Sequence, residues 1–441
     1  MYIFIVVVFV LGYIAIALEH NIKIDKAASA LITGMVCWAL YVFSIDGSGH
    51  EIQHIIEHGH GGSGGLIHHL YDIGSILFFL MGAMTIVELV DAHEGFAVIT
   101  DRIKTTKATS LIWIICVLTF FFSAILDNLT TTIVMISLLR KLIKDKEMRW
   151  LFVGMVVVSA NAGGAWSPIG DVTTTMLWIK GQLPDVMHMI THLIIPSLFA
   201  MIVPLVALTF ILKGKELERP LKSKVAEHMI NPTTSFQRNL VFGLGVGGLV
   251  FVPFFKTVTH LPPFMGMMLS LGVIWTVTEI LHRAKNREEK HELSVIGVLQ
   301  KIDVASVLFF LGILLAVAAL QEFGHLKELA QFLDSKLDSI YAINVIIGFL
   351  SSIVDNVPLV AAAQGMYPIE ATGDFATNGN FWEFLAYCAG VGGSSLIIGS
   401  AAGVAAMGLE KIDFGWYLRK ISWLAVIGYL SGAAVYFLLY S

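Results

Sequence analysis

The sequence predicts an all-α polytopic membrane protein, arranged as an inverted repeat of five spans plus one re-entrant hairpin in each half, with two broken helices. Composition is the first reason. Hydrophobic residues make up 56% of the 441 positions and charged residues 14%, against roughly 25% charge in a typical soluble domain. Mean hydropathy is +0.78, and many apolar runs reach the roughly 20 residues that cross a bilayer. An internal repeat is the second reason. Ser-Ala-Ile-Leu-Asp-Asn at 123–128 is answered by Ser-Ser-Ile-Val-Asp-Asn at 351–356. Asp-Ile-Gly-Ser-Ile-Leu-Phe-Phe-Leu at 72–80 is answered by Asp-Val-Ala-Ser-Val-Leu-Phe-Phe-Leu at 303–311. Gly163, Gly164 and Gly170 are answered by Gly392, Gly393 and Gly399. The offsets of 228, 231 and 229 residues barely drift.

Ten spans follow in order: about 2–18, 27–45, 72–90, 150–179, 188–212, 237–255, 264–282, 303–321, 381–408 and 421–440. The first is read as a retained helix, because no positive charge precedes it while Lys23 and Lys26 follow it. With both termini outside, 24 of the 28 Lys and Arg residues fall on the cytoplasmic side. Only Lys180, Lys256, Lys327 and Lys336 fall outside, which is the asymmetry expected of an inner (plasma) membrane protein. Two further apolar stretches, about 108–139 and 340–368, are read as hairpins. Residues 101–107 and 140–149 are both basic, so both ends of the first belong on the cytoplasmic side. The second has acidic or neutral flanks and opens outward. Five spans per half is an odd number, so the halves, 1–212 and 237–441, are inverted about a polar linker at 213–236 carrying Pro220 and Pro232.

The polar residues inside these apolar stretches are the candidates for chemistry. A long repeat interrupted by glycines at matching places is a transporter signature. Hairpin tips are tolerated at membrane depth only inside protein or against a water-filled cavity. Asp127-Asn128-Leu129-Thr130 and Asp355-Asn356-Val357-Pro358 mark the two tips. An ionised Asp at the bilayer centre costs about 2.5–3.5 kcal/mol on insertion scales, and a bound cation would offset that. The alternative role is N-capping of the returning half-helix, and the two are compatible. The second pair of candidates is 161–175 and 390–400, where glycines and Pro168 break a span and free carbonyl oxygens for Na⁺. Asn161, Asp171, Thr173 and Thr174 add oxygens in the first half, and Ser394, Ser395 and Ser400 in the second. Helix packing through small residues is the competing explanation for the glycines, but it leaves Asp171 without a reason. No Lys or Arg lies within 108–139 or 150–179 to neutralise Asp127 and Asp171 in their own segments. An unpaired carboxylate in apolar surroundings takes up either a proton or a metal cation, the requirement for exchanging one for the other.

Weaker candidates remain. Asp72 and Asp303 open paired helices, where a helix N-terminus favours negative charge, and are also candidates for a proton path. Glu88 and Asp91, near a cytoplasmic helix end, belong to the interface or to a proton path. Residues 46–71 hold His50, His54, His58, His60, His68 and His69 with no Lys or Arg. His50, His54 and His58 would share a helix face and could hold Zn²⁺, although a solvated low-complexity loop is the plainer reading. Cys37, Cys116 and Cys388 fall in apolar stretches and read as small core residues. No phosphate loop, nucleophile triad or nucleic-acid patch appears, so neither an enzyme nor a nucleic-acid partner is expected.

The runs at 82–93, at 126–132 and at 163–175 resemble those of the NhaD-type sodium/proton antiporters of the ion transporter superfamily, and the resemblance covers essentially the whole chain. It implies Na⁺, with Li⁺ as a second ion, exchanged for H⁺ without a cofactor. It also implies a homodimer in the lipid bilayer, with a scaffold and a mobile part that moves as an elevator. It marks Asp127, Asn128, Asn161, Asp171, Thr173, Thr174, Ser352, Asp355, Asn356, Ser394 and Ser395 as functional, with Na⁺ at Asp127, Asp171 and Asp355. Sodium-coupled dicarboxylate symporters of the same superfamily are the rival, but they carry Ser-Asn-Thr at the tips. Asp at both tips would repel an anion. Oxyanion efflux without proton exchange is a further alternative, and a non-transporting scaffold would leave the intramembrane acids unexplained.

Overall fold

Apolar composition and well-placed caps produce a chain of helices with no regular strand among the described residues. The computed structural model describes residues 2–17, 19–45, 57, 65–96, 103, 105–218, 233–285, 287–337 and 339–441. In chain order the principal helices are α1 (Tyr2–Ala17), α2 (Lys26–Phe43), α3 (Gly65–Ala92), α4 (Ala108–Leu126) and α5 (Asn128–Leu142). They continue with α6 (Lys146–Gly164), α7 (Val172–Ile179), α8 (Val186–Leu212), α9 (Ser235–Thr259), α10 (Pro263–Leu281) and α11 (Val304–Glu322). The remainder are α12 (His325–Lys336), α13 (Ile340–Leu350), α14 (Asn356–Met366), α15 (Asn380–Gly392), α16 (Ala401–Glu410) and α17 (Ser422–Tyr440). Eight of them, α2, α3, α4, α8, α9, α10, α11 and α17, are long and apolar enough to cross a membrane. The chain is therefore an all-helical, multi-span membrane protein.

Local chemistry sets the helix starts. Asp25, Asp145 and Asp185 cap α2, α6 and α8 by accepting from backbone N–H groups of the first turn, each satisfying donors the helix leaves free. Thr234 and Gln237 form a reciprocal capping box at α9, in which two free donors are satisfied at once. Packing then sorts the helices into two groups. The first holds α1, α2, α3, α9, α10 and α11, and the second holds α4 to α6, α8, α13 and α15 to α17. Helix α14 bridges them by packing on α11, and α7 by packing on α3.

The two predicted hairpin stretches each fold as a helix pair broken at the Asp-Asn dipeptide. The predicted spans 150–179 and 381–408 are each interrupted, at 165–171 and at 393–400. Equivalent residues make equivalent contacts there. Ser123 donates to the Ala160 carbonyl at 2.6 Å, and Ser351 to the Ala389 carbonyl at 2.7 Å. A Cβ on Gly170 would come within 2.8 Å of the Ser123 carbonyl oxygen, and one on Gly399 within 2.6 Å of the Ser351 carbonyl oxygen. Only glycine permits these close approaches of one backbone to another.

Three expectations are corrected. Helix α3 begins at Gly65, so Asp72 lies well inside it and does not open it. His68 and His69 are in that helix, not in a loop, because His69 is buried against Glu322 with an Nε2–Oε1 distance of 2.9 Å. Amphipathic α12 lies where no element was expected and buries Leu326 and Ala330. The histidines His50, His54 and His58 lie outside the described residues, as does 219–232 of the predicted linker. All three cysteines are free and buried.

Candidate functional site

The break between α6 and α7 delivers Asp171 to the centre of a polar cluster. Asp171 caps α7, with its Oδ1 accepting from the Thr173 N–H at 2.9 Å and the Thr173 hydroxyl at 3.0 Å. Thr174 donates to the Asp171 carbonyl at 2.9 Å. Both tips then converge on the same carboxylate. From the first tip, Asn128 Nδ2 donates to Asp171 Oδ2 at 2.7 Å and to Asn161 Oδ1 at 3.1 Å. From the second, Asn356 Nδ2 lies 3.3 Å from each Asp171 oxygen. Asn161 Nδ2 donates to Ser400 Oγ at 2.9 Å, so the second break joins as well. Asp171 is 2% exposed, and Asn128, Asn161, Asn356 and Ser400 are buried with it. A buried carboxylate demands such partners, and here every donor to its side chain is neutral.

Asp127 stands beside this cluster and not in it. Its oxygens accept from the Thr130 N–H and the Thr130 hydroxyl, both at 2.8 Å. It therefore does cap α5, and it does so at φ 78°, ψ 161°, a conformation that costs a non-glycine residue on the order of 1–3 kcal/mol. Asp355 caps α14 weakly, with the Val357 N–H at 3.4 Å, and has a basic neighbour that its own segment does not reveal. Lys26 Nζ, from the start of α2, is 3.8 Å from Asp355 Oδ2.

The remaining predicted residues divide. Ser395 is buried in the second break with its hydroxyl unpartnered, whereas Ser394 donates to the Val391 carbonyl at 2.6 Å. Ser352 donates to the Phe349 carbonyl at 2.7 Å, within its own turn. A cavity of about 410 Å³ is lined by Asp25, Lys26, Glu88, Asp91, Thr130, Lys301 and Asp303, among others. It brings Glu88, Asp91 and Asp303 together and ends against Thr130, the residue bonded to Asp127. Asp303 caps α11 through Ser306. Asp72 is elsewhere, 3.7 Å from Lys180 and 3.7 Å from His68.

Sequence reasoning missed several paired charges. Glu410, almost fully buried, holds Arg140 at 2.6 Å and Arg149 at 2.8 Å, tying α5 and α6 to α16. Glu383 is buried on α15 with His188 and Tyr436. His93 and His282 face each other across 2.8 Å at the ends of α3 and α10. Each pair joins residues far apart in the chain, and the only available signal was an isolated charge in an apolar run.

Comparison with known proteins places the chain in a family. Residues 13–382 match the citrate transporter family, CitMHS. Sodium/proton antiporter 1 of Arabidopsis thaliana is 46% identical over 97% of this chain and 71% of its own length. Sodium/proton antiporter 2 of the same plant is 43% identical over 97% of each. The Na⁺/H⁺ antiporter NhaD of Vibrio cholerae is 29% identical over 98% of this chain and 90% of its own. A match over most of the chain to a family of transporters excludes an enzyme, and together these relationships show that the chain belongs to the CitMHS citrate transporter family, as an NhaD-type member of the ion transporter superfamily.

Proposed function

We propose that this protein is a sodium/proton antiporter in which Na⁺ and H⁺ compete for the Asp171 cluster. The observation that carries the reading is the convergence of Asn128 and Asn356, one from each tip, on a single buried carboxylate. The names of the relatives agree with it. The chemistry follows from what an amide can do. An Asn side chain offers a donor on one side and an acceptor on the other. With neither ion bound, the Nδ2 groups satisfy the carboxylate. Turned over, Asn128 and Asn356 present oxygens that ligate Na⁺ or accept a hydrogen bond from protonated Asp171. Hard cations take several oxygens, carboxylate and carbonyl together, and Asn161, Thr173, Thr174, Ser394, Ser395 and the carbonyls of both breaks are the further oxygens proposed. Asp127 and Asp355 add negative charge that favours either cation. A proton path is assigned to the cavity holding Glu88, Asp91 and Asp303, with Asp72 outside it.

The reading extends to architecture. The Asp-Asn helix pairs are re-entrant hairpins, the halves on either side of the 213–236 linker are inverted, and both termini lie outside the plasma membrane. One tension is that α4, at 19 residues, is long enough to span alone. The basic runs at 101–107 and 140–149, which flank the whole 108–139 stretch, favour the hairpin. The second helix group and both hairpins move as an elevator against the first, which carries the homodimer contact, and Li⁺ shares the Na⁺ site. A citrate-like polycarboxylate substrate, suggested by the family's name, meets three carboxylates and would be repelled. The test is addition of Na⁺ or Li⁺ to lightly buffered purified protein, followed by exchange in proteoliposomes. Saturable proton release is expected. Ion binding without any proton release would overturn the reading.

A further inference from the structure

A second cluster of metal-ligating side chains lies away from Asp171. His188 and His192 sit one turn apart on α8, and Glu383 sits on α15. Each offers one ligand atom, and the three atoms lie within 4.8 Å of one another. The two histidines lie in the first two turns of α8. The 24 residues from His188 to Leu212 correspond to about 36 Å of helix.

Glu383 is fully buried. Its Oε2 accepts from the Tyr436 hydroxyl at 2.9 Å. Its Oε1 is 2.6 Å from His188 Nδ1, yet neither atom finds a partner in hydrogen-bond geometry. A buried carboxylate oxygen and a ring nitrogen thus lie in close contact without hydrogen-bond alignment. His192 supplies the third group in a suitable state. Its Nδ1 lies 2.8 Å from the His188 carbonyl oxygen, which fixes Nδ1 as the protonated nitrogen and leaves Nε2 free to ligate. Metal-binding histidines are commonly oriented in this way, and carboxylate ligands by hydrogen bonds such as that from Tyr436. The two imidazoles are stacked, 3.9 Å between centroids and 7° apart in plane. Both rings must leave this stacked geometry to ligate one ion, so the Nδ1 contact of His192, which is half-buried, describes the ion-free site.

We infer that His188, His192 and Glu383 form a binding site for one divalent transition-metal cation of the zinc class, distinct from the Asp171 cluster. Two imidazoles and one carboxylate suit Zn²⁺ and leave a fourth position for water, while Ca²⁺ and Mg²⁺ prefer oxygen ligands throughout. The bound ion joins a helix from the first half of the chain to one from the second. Gly390, seven residues along α15, adjoins Asp171: a Cβ there would lie 4.0 Å from Asp171 Oδ2.

The test is a Co²⁺ titration of the purified full-length protein carrying His50→Gln, His54→Gln, His58→Gln and His60→Gln, which removes competing histidines. One Co²⁺ per chain is expected, with visible absorption of a four-coordinate ion that Zn²⁺ displaces. Adding His192→Gln or His188→Gln should weaken binding at least about tenfold, the scale of disturbing a metal ligand's support. His192 is half-buried, so its variant serves where the His188 one fails to fold. Absence of stoichiometric Co²⁺ binding would mean that His188 and Glu383 are an ion pair only. That result, or unchanged affinity in the folded His192→Gln protein, would overturn the inference.

Discussion

Replacing Asp171 by Asn separates the charge of the proposed ion site from its shape. The substitution conserves volume and leaves one oxygen. That oxygen can continue to accept from Thr173, whose N–H and hydroxyl lie 2.9 and 3.0 Å from Oδ1. The new Nδ2 then faces the Nδ2 groups of Asn128 and Asn356, which stand 2.7 and 3.3 Å from the present Oδ2. A turn of either amide relieves this donor–donor contact. Loss of hydrogen bonds to a charged acceptor, at roughly 1.5–3 kcal/mol each, is opposed by the relief of no longer burying a charge. The fold should therefore survive. Ion binding should not. A unit charge about 4 Å from a cation contributes about 4 kcal/mol at an effective dielectric of 20, or roughly three decades of affinity at about 1.4 kcal/mol per decade. Isothermal titration with Na⁺, beside proton release in the same sample, reads this directly. Na⁺ affinity within tenfold of the parent, with proton release intact, would refute the assignment of Asp171 as the shared site.

Three other outcomes are expected. Glu410→Gln strips the charge that holds Arg140 and Arg149 and should destabilise the detergent-solubilised protein by about 3 kcal/mol, so an unchanged melting temperature would contradict it. Gly170→Ala puts a Cβ 2.8 Å from the Ser123 carbonyl oxygen and should cost about 1–3 kcal/mol through overpacking. It should also impair ion binding by shifting the break, and parent-like melting and Na⁺ affinity would show that the contact yields freely. At the ends of α3 and α10, burial, then His93, then Lys285, push His282 down to about 4, with Lys290 acting the same way and Glu279 opposing. Burial lowers His93 as well. The unfolded chain, with histidines near 6.5, binds more protons than the folded one between about pH 6.5 and 4, so stability falls as pH falls through that window. His282→Gln should flatten the slope of melting temperature against pH there, and an identical slope would remove this pair as its source.

The sequence exposed the interruptions and concealed the partnerships. The Asp-Asn interruptions, the glycine breaks and seven of the ten expected spans were readable, because glycines and acids inside apolar runs have few structural explanations. Helix ends were harder. Residues 65–71 carry the composition of a loop, and only the burial of His69 against Glu322 on α11 makes them helix. Charge counting within a segment failed for a related reason. Asp355 has no basic residue in its own stretch, yet Lys26 reaches it from a helix more than 300 residues earlier. The paired aspartates also looked more alike than they are. Asp127 takes a positive φ and Asp355 does not, and no pattern of residue types predicts that difference.

The proposed exchange rests on a difference between the two Gly-broken segments. At the equivalent break positions the first half carries Asp171 and the second Ser400. Both begin the helix after the break, and each caps it with side-chain oxygen, Asp171 through Thr173 and Ser400 through the Gly403 N–H at 3.2 Å. A carboxylate at both positions would place two buried charges around Asn161, which touches Ser400 directly and Asp171 through Asn128. Like charges so close cannot both ionise readily, and one would hold a proton through the cycle. Serine at the second position keeps the cap and the oxygen while leaving one carboxylate at the hub. A single carboxylate served by neutral amides from both tips has two ways to lose its charge, a proton or a metal cation, and cannot satisfy both at once. That mutual exclusion is the coupling an exchanger needs.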